Sequence, residues 1–232
     1  MRRLKYIILL MGLAACAPLN NYDFGGEYLG AKYMFSPLGE FTLPDADPLI
    51  RTDAFDCTTY VETVLADGDV NKLTQIRYKN GDISFLNRNH FIETDWLNNN
   101  ANIVENVSTQ YATVAIRSVE IDKSGWMKQV HGITADFPVN FAQLEYIPYQ
   151  NLGQIKNRKP LIVLFITDNQ KIRDKIGTDL AVVHMGFLMP GGKILRHASS
   201  EHGRVMDTDF AEYVMRMQKN KNNIGIALVR IK

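Results

Sequence analysis

Phe55-Asp56-Cys57-Thr58-Thr59-Tyr60-Val61-Glu62 is the stretch from which the rest of this chain is best read. Asp56 is an N-cap residue type, and Tyr60, Val61, Val64 and Leu65 then recur on one side of a helix. The spacing predicts a helix over about 57–66 that begins at Cys57, with Gly68 placed to end it. That position has a chemical meaning. Free N–H groups and the helix dipole favour negative charge at a helix start. A thiol attacks only as thiolate, so its ordinary pKa of about 8.5 has to come down; the helix start predicts that lowering. The only other cysteine is Cys16. On residue type alone, a lone thiol fits a buried structural cysteine as well as a nucleophile.

Working outward to the N-terminus, Arg2, Arg3 and Lys5 precede a short apolar core from Tyr6 to Leu13. This core is too short to span a bilayer and reads as a signal peptide. Leu13-Ala14-Ala15-Cys16 resembles a lipobox, the other reading being an ordinary secretory signal cut nearby. The expected organisation is a signal peptide over 1–15, a lipidated Cys16 with a linker over 16–25, and one domain over 26–232. Ala17 rather than aspartate after Cys16 resembles a sorting signal for the outer membrane of a Gram-negative cell. The expected location is thus an outer-membrane lipoprotein facing the periplasm, attached through its lipid. Exported proteins normally pair their cysteines, which leaves Cys57 as an unpaired thiol in need of a purpose.

Among the 232 residues, 46% are apolar and 22% charged, and the net charge is +1. Nothing in this balance argues for nucleic acid as a partner, and the chain is read as a monomer. There is no internal repeat, and no later stretch has the length and apolarity of a membrane span.

Residues 26–34 are read as a short helix, 72–77 as helical, and 85–98 as helical or mixed. The second half turns to strand. Residues 113–121 alternate, and Leu161–Thr167 and Leu180–Leu188 are continuous apolar runs of strand length. Ile194–Ala198 follows the turn signal Pro190-Gly191-Gly192 and should pair back as a hairpin. Asp207 or Thr208 is expected to cap a helix carrying Phe210, Tyr213, Val214 and Met217, and Gly225–Ile231 to close the chain as a strand. Helices first and antiparallel strands afterwards indicate an α+β domain.

A nucleophilic thiol also needs a base. Five histidines are available: His90, His131, His184, His197 and His202. His184 lies inside an apolar strand, where a polar ring is costly unless hydrogen-bonded. Gly186 shares its face and leaves room for substrate or for another backbone. His197 lies in the next strand of the hairpin, placed to hold the His184 ring in one tautomer. His131 and His202 read as surface residues. There is no H-E-x-x-H and no paired-cysteine motif, which argues against a zinc mechanism.

Several segments together resemble the NlpC-type cysteine peptidases, a papain-like superfamily acting on bacterial cell walls. The likeness is to their N-acetylmuramoyl-L-alanine amidase-like branch, long described only as a domain of unknown function. The matching segments are Tyr28-Leu29-Gly30 through Ser36-Pro37-Leu38-Gly39-Glu40, the stretch around Cys57, Arg88-Asn89-His90-Phe91 with Trp96, Asp179–Phe187 and Leu195–Ser199. The resemblance implies a papain-like fold in which the nucleophile helix packs on an antiparallel sheet or half-barrel. It implies Cys57 as nucleophile, His184 as base and His197 as the orienting residue. Tyr33 matches a tyrosine near the oxyanion site, while Asn89, His90 and Gly186 are expected at the substrate or oxyanion site. One departure is Lys159-Pro160-Leu161, where many members carry Gly-Asp before the strand that precedes the base. The implied activity is cofactor-free and metal-free hydrolysis of the N-acetylmuramoyl-L-alanine amide bond in peptidoglycan fragments. The rivals are a D-glutamyl-diamino acid endopeptidase, a wall-binding lipoprotein without activity, and a redox lipoprotein. The last is disfavoured because no second cysteine resolves a mixed disulfide.

Overall fold

The computed structural model describes residues 23–232; the signal segment and Cys16 lie outside the described residues. The domain is a mixed α+β structure built on a ten-stranded sheet. Its strands are β1 (Lys32–Tyr33), β2 (Ala54–Phe55), β3 (Val104–Asn106), β4 (Ala115–Ile121), β5 (Asn140–Pro148), β6 (Leu161–Thr167), β7 (Val182–Leu188), β8 (Ile194–Ser199), β9 (Arg204–Asp209) and β10 (Asn223–Ile231). They lie in the order β2-β1-β9-β8-β7-β6-β10-β5-β4, with β3 on β10. Every neighbouring pair is antiparallel except β1 with β2. Among the described residues six α-helices accompany the sheet: α1 (Cys57–Ala66), α2 (Val70–Arg77), α3 (Leu97–Asn99), α4 (Lys123–Trp126), α5 (Gln170–Ile176) and α6 (Phe210–Met217).

The apolar run of β6 is continuous because both faces of the sheet are covered. Ile162, Leu164 and Ile166 join the core layer that contains Val61 and Val64 of α1, whereas Leu161, Val163 and Phe165 join the layer that contains Phe210, Tyr213 and Val214 of α6. The period of two thus assigns successive side chains to two helices on opposite faces.

Three expectations are revised. Residues 26–34 form only a single turn, Gly26–Tyr28, because the chain reverses at Gly30 (φ +88°) and enters β1 beside β9. The stretch 85–98 is broken into a turn at Phe85–Asn87, a π-helical turn at Ile92–Trp96 and the start of α3. Helix α6 is capped by neither Asp207 nor Thr208 but by Asp209, whose carboxylate accepts the Glu212 N–H at 2.9 Å. The physical reason is that β9 holds Thr208 extended opposite Leu195, so the helix starts later.

Candidate active site

Helix α1 begins where the sequence places it. Asp56 accepts the Thr59 N–H at 2.8 Å and the Thr59 hydroxyl accepts the Asp56 N–H at 2.9 Å, a reciprocal capping box. This fixes Cys57 in the first turn. Its sulfur lies 3.9 Å from the Thr58 hydroxyl and faces the main-chain N–H groups of Thr58 and Met185. Met185 is the residue after His184, so the nucleophile helix meets β7 beside the histidine. A Cys57–His184 hydrogen bond is not among the sulfur's contacts in this state.

The β7–β8 hairpin turns at Pro190-Gly191-Gly192 and pairs Phe187 with Arg196 and Leu188 with Leu195. That register brings His184 Nε2 to 2.7 Å from His197 Nδ1. His197 Nε2 lies 3.3 Å from the Thr208 hydroxyl. A consistent assignment has His184 Nε2–H donating to His197 Nδ1 and His197 Nε2–H donating to Thr208. The Nδ1 lone pair of His184 is then free to take a proton. Gly186 makes room for the neighbouring strand: a Cβ there would stand 2.7 Å from His197 Cβ and 2.9 Å from Arg196 O.

Burial sets the protonation states. It pushes the Cys57 thiol up to about 12, with Asp56 adding to the rise and the N–H groups of Met185 and Thr58 opposing it. The lowering expected at the helix start is therefore outweighed, because desolvation penalises the thiolate more than these dipoles favour it. Burial takes His184 down to about 3, with His197 contributing, and takes His197 down to about 4, with Arg216 and His202 contributing. At neutral pH the pair is a thiol beside a neutral imidazole. Protein walls the two side chains on most sides, yet Cys57 and His184 each keep an accessible edge, whereas His197 is 1% exposed.

Tyr33 on β1 is half-buried, and its hydroxyl is raised to about 12 by burial, then by the Cys57 and Asp56 charges; it stays protonated as a donor near the nucleophile. Asn89 is a buried cross-link, donating to Ile76 O at 2.9 Å and accepting from Asn99. His90 donates from Nε2 to Phe85 O at 2.7 Å and is held neutral by burial. Asn89 and His90 line a cavity of about 130 Å³ with Ser36, Asp56 and Thr58, next to Cys57 in the chain. His90, Ser36 and Arg88 also line a groove of about 380 Å³ that includes Phe35, Trp126 and His131. His131 is exposed but rests on Trp126, with ring centroids 4.7 Å apart. No group of three or more His, Cys, Asp or Glu suited to a metal ion occurs among the described residues.

Two residues that matter here were not singled out from sequence. Tyr213 on α6 stacks against His184 (centroids 5.7 Å, 30°) and meets His197 edge-on at 4.9 Å. It fixes the plane of the imidazole pair. Helical spacing marked it as a core residue and held no sign of that partner.

The second is Glu93. Its Oε1 accepts the Ala181 N–H at 2.6 Å, three residues before His184, while Oε2 is buried with no partner among the described residues. Burial raises this carboxyl to about 7, against the opposing Ala181 N–H. The folded chain thus retains a proton that the unfolded chain releases near 4.5. The resulting stability is full below that value, falls as pH rises from about 4.5 to about 7, and is gone above. Glu93→Gln should therefore exceed the native chain in stability at pH 8 by up to about 3 kcal/mol and match it near pH 4. Urea midpoints that change with pH equally in both proteins would refute this.

With this geometry in view, the likeness to known proteins is informative. The sequence model of the AmiA-like family, described as N-acetylmuramoyl-L-alanine amidase-like, matches residues 23–224. The chain belongs to this family. No curated protein matches it. Among solved structures it is similar to a Legionella pneumophila protein of the DUF1460 family, with 24% identity, a TM-score of 0.80, and 90% of this chain and 87% of that one covered. It is also similar to an N-acetylmuramoyl-L-alanine amidase from Bacteroides uniformis, with 23% identity, a TM-score of 0.71, and 90% and 96% covered. A third is a Bacteroides fragilis protein provisionally named a xylanase, with 22% identity, a TM-score of 0.70, and 90% and 99% covered. At these identities the three share the fold. The family carries the amidase-like, peptidoglycan-related assignment.

Proposed function

We propose that this member of the AmiA-like family is a cysteine amidase of the papain-like NlpC type, hydrolysing the amide bond between N-acetylmuramic acid and L-alanine in peptidoglycan fragments. The observation that carries the reading is the 2.7 Å contact between His184 and His197 directly beside the start of the Cys57 helix. His184 Nδ1 takes the Cys57 proton as the sulfur attacks the carbonyl carbon, so charge develops only with substrate in place. The developing oxyanion meets the N–H groups at the helix start and the protonated Tyr33 hydroxyl. His197, through its Nδ1, keeps the imidazolium oriented while it protonates the departing amine. Water, deprotonated by His184, then releases the acyl group from the thioester.

The bond is tested by mass spectrometry of muropeptides digested with the chain. Free stem peptide beginning with L-alanine is expected. Fragments cut only between D-glutamate and the diamino acid would assign the endopeptidase activity instead, and an unchanged digest would leave a wall-binding role.

The lipobox-like Leu13-Ala14-Ala15-Cys16 supports an exported protein anchored to the outer membrane on its periplasmic side. Cys16→Ser should move the protein from the membrane fraction to the soluble fraction, with activity on soluble fragments unchanged. Continued sedimentation with membranes would remove the anchor without touching the enzyme.

A further inference from the structure

Glu93 also belongs to the wall of a cavity of about 620 Å³, and that wall includes none of Cys57, His184 and His197. The cavity lies between the turn at Ile92–Trp96, β3 and the β4–β5 pair, and much of its wall is apolar, with Leu97, Val104, Ala142 and Leu144. Glu93 itself is 3% exposed. Ala181 engages one of its oxygens, and Oε2 has no partner among the described residues. A buried carboxyl oxygen left without a partner is costly, and the cavity has far more room than one water takes. The other charges in the wall are Glu105, paired with Arg230; Glu145, in no ion pair among the described residues; and Lys232, whose ammonium donates to Ala101 O at 2.5 Å. With Glu93 ionised, three carboxylates face two cations, Arg230 included, so one negative charge is in excess. Two further carboxylates near Glu93, those of Asp179 and Asp95, are held by Arg117 and by Lys123.

We propose that this cavity binds an organic ammonium ion carried on an apolar body, its N–H donating to Glu93 Oε2. The class follows from charge and lining together. An ammonium cancels the excess negative charge and gives Oε2 a charge-assisted hydrogen bond. Its hydrocarbon part covers the apolar wall at Leu97, Val104 and Leu144. A carboxylate on the ligand would add to the excess, which sets this site apart from one for amino acids or stem peptides. The same Glu93 carboxyl holds the Ala181 N–H, so occupancy is felt on the segment that leads into β7 and His184. The site is independent of the reaction at Cys57.

The test is calorimetric titration of the full chain with hexylamine at pH 8. Saturable binding is expected, with ethylamine at least tenfold weaker because it covers less apolar wall. Glu93→Gln, which is expected above to be the more stable chain at that pH, should weaken hexylamine at least tenfold. In the native chain the affinity should fall about tenfold from pH 8 to pH 6, because Glu93, raised by burial to about 7, must first give up its proton. The Ala181 amide resonance should shift on titration of the native chain and stay in place in Glu93→Gln, which locates the ligand. Absence of saturable binding, hexanoate or 6-aminohexanoate binding as tightly as hexylamine, equal affinity in Glu93→Gln, or an affinity that rises toward pH 6 would overturn the proposal.

Discussion

Cys57→Ala is expected to lower turnover of muramoyl-peptides by at least about 10⁴-fold, since single removals in comparable catalytic sets cost about that or more. In the proposed mechanism no other group at the site can form the thioester. His184→Ala should be nearly as severe, because the thiol then keeps its proton and the amine departs unprotonated. His197→Asn should be milder than either: an amide oxygen can still accept the His184 Nε2–H that His197 Nδ1 accepts at 2.7 Å. In the proposed mechanism the three act as a unit, so double variants should fall well short of the product of the singles. The pH profile carries an independent sign. Burial keeps His184 neutral down to about 3 and Cys57 protonated up to about 12. Between about pH 5 and 8 neither group should titrate, and the profile of kcat/KM should lack a limb near the ordinary histidine value of about 6.5. Such a limb, displaced by His197→Asn, would show that the resting pair is charged and that burial is not the dominant influence.

Glu62→Leu is expected to destabilise the fold by about 3–5 kcal/mol. Glu62 lies on α1, one turn beyond the nucleophile, and accepts from Arg77 Nε of α2 at 3.0 Å, both side chains being 3% exposed. Arg77 also donates to Leu49 O at 2.8 Å, before β2. Removing the carboxylate leaves a buried guanidinium with the Leu49 carbonyl and the Tyr78 ring, 5.9 Å away, as its remaining neighbours. Burial raises the Glu62 carboxyl even with Arg77 alongside, which indicates how costly charge is there. The double replacement Glu62→Leu with Arg77→Leu should lose much less than the two single losses added together, because it removes both charges. Urea unfolding of the four proteins measures the coupling. A loss below about 1 kcal/mol in Glu62→Leu would mean that water reaches Arg77 and that the pair is not desolvated.

Local signals were dependable where the interaction itself is local. Asp56 and Gly68 bracket α1 to within two residues of its ends, and the β7–β8 hairpin follows from Pro190-Gly191-Gly192 between two apolar runs. Signals failed where a distant partner decides. Residues 140–148 gave no strand reading, yet they form β5 because β4 and β10 offer edges on both sides. Thr208 is a good cap by type, but pairing with Leu195 keeps it in a strand.

The candidate site divides in the same way. The sequence by itself determined an α+β domain, a thiol at a helix start, and two histidines thirteen residues apart in a hairpin, because each depends on spacing along the chain. Only the tertiary structure decided that the thiol and His184 are neutral, since that follows from desolvation by the packed layers around them. It alone brought Tyr213 under the imidazoles, gave the space at Gly186 to His197, and tied Glu93 to Ala181 across 88 residues. Periodicity marks a face as buried; which groups meet across that face is fixed only when the two layers close on the sheet.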